Sequence, residues 1–327
     1  FTIFALLVAC LDVGILAYAW RNNHLSIGSV VALITLIDNA YTPIAIFNVI
    51  YVQYKLNKTA WLRFTGLLDL KEDTQLEQGI DFATPLNEIH VEDLSFSYEN
   101  KEVLQSVSLT IKRGEKIAFV GESGSGKSTL TKILVGLLKY DKGNILFDDE
   151  PLKNISLESL YEKVSYLSQD TPVFDGTIKE NLVFDNEVSE ADIHVCLEKT
   201  HLLSMLAALD KGLETRIGEK GTCLSGGEKQ RLALARLWFD NSDIVVLDEA
   251  TSALDNVTEG IVMKNVLEQI NHATVIAVAH RLTSIKEFDR IVVFRNGKIV
   301  GNGTFDELLA NNSYFLDLYR KEKENSN

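Results

Sequence analysis

Gly121, Gly126, Lys127 and Ser128 stand at the spacing G-x-x-x-x-G-K-S within GESGSGKST, residues 121–129. Glycines let successive backbone N–H groups turn toward one anion, and a helix that starts behind them adds the positive end of its dipole. Glu122, Ser123, Gly124 and Ser125 fill the same loop, and Thr129 opens the apolar helical run TLTKILVGLL. In this pattern Lys127 reaches the β- and γ-phosphates of a nucleotide, and the Ser128 hydroxyl ligates Mg²⁺. The strand-like run KIAFVG leads into the loop, which gives the strand, loop and helix context that the motif needs.

Two carboxylates and a second glycine stretch extend this chemistry. The run IVVL, residues 244–247, ends in Asp248 and Glu249. Four apolar residues read as a strand inside a sheet, whose end delivers a carboxylate to the metal, with Asp248 as its partner through water or from just behind its ligands. Glu249 is then placed to polarise an attacking water, the role of a general base near a γ-phosphate. LSGGEKQ, residues 224–230, is also suited to an anion: Ser225 offers a hydroxyl, and Gly226 and Gly227 offer amides at a helix start.

The elements that must hold these residues follow from pattern. From Leu86 onward the chain reads as short β segments, IHVEDLSFSY and VLQSVSLTI, before KIAFVG. Further strand-like runs are VSYL (164–167), DIVVLD (243–248), TVIAVAH (274–280) and RIVVF (290–294), most of them separated by helical stretches. An α/β fold follows: a mainly parallel sheet with an antiparallel β portion at its start.

The first 56 residues differ. FTIFALLVACLDVGILAYAW is apolar except for Thr2 and Asp12 and is long enough to cross a bilayer. After the polar loop RNNHLS, Ile27 to Tyr54 gives 28 residues, about 42 Å as helix, with a kink expected at Pro43. Two spans with a short loop put both outer ends on one side. Lys55, Lys58 and Arg63 follow the second span while only Arg21 sits in the loop, so the side of the outer ends reads as cytoplasmic. Asp12 and Asp38 lie inside the spans, where an ionisable group either marks a substrate path or faces a neighbouring helix or water-filled cavity. Residues 57–85 are polar and read as a cytoplasmic helix and linker, punctuated by Gly79 and Pro85. The expected organisation is 1–56, 57–85 and 86–327.

Composition narrows the classes. A length of 327 residues with 46% hydrophobic content fits about two domains, and a formal charge of −14 argues against a nucleic-acid partner. Cys10, Cys196 and Cys223 form no CxxC pair, so neither a disulfide framework nor a zinc site has support. A basic start and a cleavage site, the marks of a secretory signal, are lacking. A first residue of Phe inside an apolar run suggests a piece of a longer chain.

In order, Tyr98, GESGSGKS, Gln169, LSGGEKQ, VVLDEATSALD and His280 resemble the nucleotide-binding domain of ATP-binding cassette (ABC) transporters. SQDTPVFDGTIKENL, RIGEKGTCLSGGEKQRLALAR and AHRLTSI are similar to the exporter branch, and the resemblance covers about residues 86–320. It implies a phosphate-loop ATPase domain with an antiparallel β subdomain and a helical subdomain, preceded by the last two of six membrane helices. It implies roles as well: Tyr98 stacks on adenine, and Gln169 contacts Mg²⁺ or water and senses the membrane domain. His280 contacts the γ-phosphate, and Asp255 sits in the loop that crosses between two nucleotide domains. Glu228 stands where the commonest form has glutamine. The implied cofactors are ATP and Mg²⁺, the latter held by Ser128, Gln169 and Asp248.

The implied partner is a second half-transporter chain, identical or different, packed head to tail so that each LSGG closes over the other chain's ATP. The implied activity is ATP-driven export by alternating access, from a lipid membrane with the nucleotide domain in the cytoplasm. The apolar spans and acidic charge disfavour a soluble cassette ATPase. A membrane-tethered regulatory switch would be expected to lack the base or the switch residue, yet Glu249 and His280 are both present.

Overall fold

The computed structural model describes residues 2–22, 26–70, 75–76, 78–82, 85–99, 101–170, 172–184, 186–218, 224–279, 281–282 and 284–325. Contacts divide the chain into two units, Phe1–Asp73 and Thr74–Asn327.

The first unit is a pair of packed helices, α1 (Thr2–Asn22) and α2 (Ile27–Leu68). Ser26 caps α2, its Oγ accepting from the Ser29 N–H at 3.2 Å. The helix then runs 42 residues, through Pro43 and beyond Tyr54. The span and the polar segment after it form one element up to Leu68, because YKLNKTAWLRF offers good helix formers and no breaker. Among the described residues α2 is the one helix long and apolar enough to be a candidate span, with mean hydropathy 1.7 over its best window. Leu6, Trp20, Phe47 and Leu68 are all exposed, so the pair does not bury its own apolar surface. Asp12 is half-buried, and its Oδ1 lacks a hydrogen-bond partner among the described residues; Asp38 is exposed.

The described residues of the second unit form ten strands: β1 (Glu88–Tyr98), β2 (Lys101–Lys112), β3 (Lys116–Val120), β4 (Lys142–Phe147), β5 (Glu150–Pro151), β6 (Val164–Leu167), β7 (Ile244–Asp248), β8 (Thr274–Val278), β9 (Arg290–Arg295) and β10 (Lys298–Gly303). Its helices are α3 (Lys127–Leu134), α4 (Leu157–Tyr161), α5 (Ile178–Val183), α6 (Glu190–Lys199), α7 (Leu203–Ala207), α8 (Gly226–Arg236), α9 (Asn256–Gln269), α10 (Phe305–Asn311) and α11 (Ser313–Asn325). A four-stranded antiparallel sheet has the order β2-β1-β4-β5, and a six-stranded sheet the order β10-β9-β3-β8-β7-β6. In the larger sheet β9, β3, β8, β7 and β6 are parallel and β10 pairs antiparallel at the edge.

Side-chain alternation explains why the central strands read as unbroken apolar runs. Ile117 and Phe119 of β3 enter one core, shared with the antiparallel sheet, while Ala118 and Val120 enter the core beneath α9, α10 and α11. β7 and β8 alternate in the same way, with Val246 and Ile276 on the first face and Val245 and Val275 on the second. A third core, centred on Ile178, Ile193, Leu202 and Leu232, closes a helical portion built from α5 to α8. Residues 75–76 and 78–82, within the segment that reads from sequence as linker, pack on this unit. Ile80 bridges to Ile155, Phe82 is buried against Phe147, and Gln75 Nε2 donates to Leu152 O at 2.9 Å.

Candidate functional site

β3, β7 and β8 run parallel, and Asp248 at the end of β7 pairs with Val278 at the end of β8. Parallel strands bring their C-terminal ends to one edge, where open α/β sheets form their crevice. The loop 121–126 leaves that edge from β3, and Asp248 and Glu249 leave it from β7.

The loop's backbone accounts for its glycines. Gly121 has φ +146°, and a Cβ there would stand 2.2 Å from the Phe294 carbonyl of β9. Gly126, at φ +105°, is the N-cap of α3, and a Cβ would meet Leu104 Cδ2 at 2.6 Å. Ser125 is buried, and its Oγ lacks a hydrogen-bond partner among the described residues. Lys127 is 4% exposed and donates from Nζ to the carbonyls of Gly121 (2.9 Å) and Glu122 (3.0 Å), which closes the loop on itself. Burial holds the Lys127 ammonium below the usual lysine range, and Glu249 and Asp248 act in the opposite direction.

Asp248 is 5% exposed and accepts two hydrogen bonds. Ser128 Oγ donates to Oδ1 at 2.6 Å, and the Tyr166 hydroxyl of β6 donates to Oδ2 at 2.8 Å. Tyr166 is therefore part of the site although sequence reasoning passed over it. VSYL was legible as a strand, but the partner lies 82 residues away. Burial, with the Asp248 carboxylate beside it, pushes the Tyr166 phenol well above its ordinary range. Glu249 takes a left-handed backbone, φ +58°, its N–H donating to Val278 O at 3.3 Å.

Above these residues lies an open cleft of about 590 Å³, lined by Tyr98, Gly124, Lys127, Ser128, Thr129 and Glu249 among others. Tyr98 is 45% exposed, with its ring held edge-on by Phe96 at 4.9 Å between centroids. Sequence reasoning did not single out Lys101 and Gln105 of β2 or the turn residues Asn296 and Gly297, which line the same cleft. Ser123 lines it, whereas Glu122 faces α11, its carboxylate 3.8 Å from Lys321 Nζ.

Ser225, Gly226, Gly227 and Gln169 do not line that cleft. Gln169 and Gly226 border a second opening, of about 750 Å³, with Lys229, Gln230, Ser252 and Ala253. Ser225 caps α8. Its N–H and its hydroxyl each donate to Glu228 Oε2 at 2.7 Å, and its Oγ accepts from the Glu228 N–H at 3.3 Å. The Ser225 hydroxyl, assisted by its N–H, holds the Glu228 carboxyl below the usual range. Asp255 caps α9, accepting from the N–H groups of Thr258 (3.0 Å) and Val257 (3.1 Å), and the Thr258 N–H chiefly holds its carboxyl low. His280 lies outside the described residues. Its neighbour Arg281 donates to Leu254 O at 2.7 Å and to Glu259 Oε2 at 2.5 Å, and Thr251 Oγ1 donates to Glu259 Oε1 at 2.9 Å.

Comparison with known proteins adds lineage to this geometry. Residues 104–252 match the family model described as ABC transporter. The chain belongs to the ABC transporters. Over 304 residues this ABC chain is 35% identical to the Bacillus subtilis ABC transporter ATP-binding protein YwjA, covering 92% of the chain and 53% of YwjA. It is 38% identical over 234 residues to an ATP-dependent lipid A-core flippase of Francisella tularensis, covering 71% of the chain and 38% of the flippase. A solved bacterial Atm1-family ABC exporter with ATP bound matches with a TM-score of 0.73 at 28% identity, covering 97% of the chain and 57% of that structure. The chain thus spans about half the length, or less, of the curated relatives it matches.

Proposed function

We propose that this chain is the C-terminal part of an exporter half-transporter, in which ATP binding closes two nucleotide domains head to tail and hydrolysis reopens them. One observation carries the head-to-tail reading. The cleft holding Lys127, Ser128, Tyr98 and Glu249 is lined by neither glycine of the pair at 226–227, and Gly226 borders a different opening. A signature that does not reach its own chain's nucleotide fits one that serves a second chain's. Names among the relatives, a lipid flippase and an exporter, support outward transport from a membrane with the nucleotide domain in the cytoplasm.

The residues fit the groups the family uses. A loop with left-handed glycines, a buried Ser125 hydroxyl without a partner among the described residues, and Lys127 at its centre make a phosphate cradle. Ser128 Oγ and the Asp248 carboxylate are oxygen donors of the kind Mg²⁺ takes, and Gln169, which borders the other opening here, would have to move toward them to join the set. Bound there, Mg²⁺ would offset charge on the β- and γ-oxygens. Tyr98 presents its ring to adenine, Lys127 holds the phosphates, and Glu249 accepts the proton of the attacking water. His280 contacts the γ-phosphate in this reading, and Asp255 lies in the loop facing the partner. Contacts made only when the two domains close are what give ATP its differential affinity for the closed state.

Mixed dimers of the full-length protein test this. Lys127→Ala breaks one chain's phosphate loop and Ser225→Arg breaks another's signature, so each homodimer has two defective sites. A mixed dimer keeps one complete site if sites are shared, and it should trap Mg²⁺-ATP at one site per dimer. Verified mixed dimers that trap no more than either parent would overturn the reading.

A further inference from the structure

Gln230 lies in α8, one turn beyond Gly226, and is 4% exposed. Its Oε1 accepts from the Ala253 N–H at 2.7 Å, and its Nε2 donates to Ser252 Oγ at 3.0 Å and, at the limit of 3.5 Å, to Gln169 O. The amide orientation is fixed twice over. A backbone N–H only donates and a backbone carbonyl only accepts, so Oε1 must face Ala253 and Nε2 must face Gln169. Glycines bring the same two segments into contact independently. A Cβ on Gly227 would stand 3.2 Å from Ala253 O and 3.5 Å from Leu254 Cδ2, and one on Gly226 would stand 3.5 Å from Ala253 Cβ. Ser252 N–H donates to Glu249 O at 3.2 Å, so the contact continues to the residue after Asp248.

Gln230 therefore touches three segments with different duties in the function proposed above. Ser225 to Gly227 and the loop ending at Asp255 serve the partner's nucleotide; Gln169 and Glu249 serve the chain's own. We infer that Gln230 is a positioning residue that keeps the signature helix, the 252–255 loop and the Gln169 backbone in one register, and so couples the two composite sites. This inference rests on the shared-site reading. Gln230 does not line the nucleotide cleft, so its loss should spare ATP binding and impair turnover.

Full-length protein in lipid nanodiscs provides the test, with Gln230→Met as the isosteric variant that leaves the Ala253 N–H unsatisfied. Of the three lost hydrogen bonds the two shorter, at about 1 kcal/mol each, predict a fall in kcat of about 10- to 30-fold, with Mg²⁺-free ATP affinity within twofold of the parent. The Hill coefficient for ATP should fall toward one. Ser252→Ala, at an exposed position, removes one partner without disturbing the core; it should lower kcat less and add little in the double variant. Parent-like kcat and Hill coefficient in both variants would overturn the inference, as would a kcat loss matched by lost ATP affinity or by fully additive effects. The mixed-dimer experiment keeps the two ideas apart. Trapping in mixed dimers together with parent-like Gln230→Met sinks the Gln230 role alone; failure of trapping sinks the shared sites and the coupling built on them.

Discussion

Tyr166→Phe removes the phenol's hydrogen bond to Asp248, the carboxylate proposed to hold Mg²⁺, together with its contact to Thr131. The ring stays and the hydroxyl leaves, so Asp248, 5% exposed, keeps only the 2.6 Å bond from Ser128 of its two side-chain donors. A bond to a charged acceptor is worth about 1.5–3 kcal/mol, since the alternative is an under-solvated carboxylate. In the proposed Mg²⁺ site Ser128 would give up its bond to Asp248, and Tyr166 would then be what keeps the carboxylate aimed. The half-saturating Mg²⁺ concentration for ATP hydrolysis should therefore rise about 10-fold, and by up to about 100-fold if the full bond energy bears on the metal. The assay is steady-state ATPase at saturating ATP across a Mg²⁺ titration, with nucleotide affinity in EDTA as the control. That affinity should hold within about twofold, because Tyr166 faces a groove with Leu182, Phe184 and Arg236 and not the nucleotide cleft. An unchanged Mg²⁺ requirement would refute the aiming role of the phenol.

Three other outcomes are expected. Tyr98→Ala should lose about 1–3 kcal/mol of nucleotide affinity and Tyr98→Trp should keep most of it, read by equilibrium binding; equal affinities would return Tyr98 to a packing role. Glu228 has its folded-state pKa depressed by Ser225, so its contribution to stability is present above the usual glutamate pKa and lost as pH falls through the lowered value. The stability difference between parent and Glu228→Gln, followed by denaturant titration, should shrink below about pH 4 and stay flat from pH 6 to 8. Burial pushes the Cys196 thiol up to about 12, so alkylation at pH 8 should leave Cys196 unlabelled until denaturant is added.

Residues adjacent in sequence were the legible part of this molecule. The strand, glycine loop and helix start around 121–128 could be read because they fall within a few consecutive positions, and β3, β7 and β8 because two-sided burial makes their apolar runs continuous. β4 and β10 were missed: KGNILF and KIVGNG interrupt their apolar residues with glycine and asparagine. The apolar span ends at Tyr54 while α2 runs on to Leu68 without a break, because polarity, which marks a membrane boundary, says nothing about where a helix stops. Tyr166 and Gln230 were invisible for another reason. Their partners lie 82, 61, 23 and 22 residues away, and only the sheet order and the packing of α8 bring them together. The glutamate at 228, noted as a departure from the commonest signature, turns out to complete a capping box on Ser225, which its position three residues on allows.

Glu249 sits in the left-handed backbone region, where a side-chain-bearing residue costs about 1–2 kcal/mol that glycine does not. That penalty is borne at the one position assigned to proton abstraction, so the fold and the chemistry pull against each other there. Exchanging Glu249 for glycine or asparagine should abolish turnover and yet raise the unfolding temperature, whereas glutamine keeps the strained backbone and removes only the base. Loss of catalysis is then thermodynamically downhill for this strand end. A stabilised but inert cassette is therefore one substitution away at position 249, and a rise in unfolding temperature alone would be a poor guide to function in variants of this strand end.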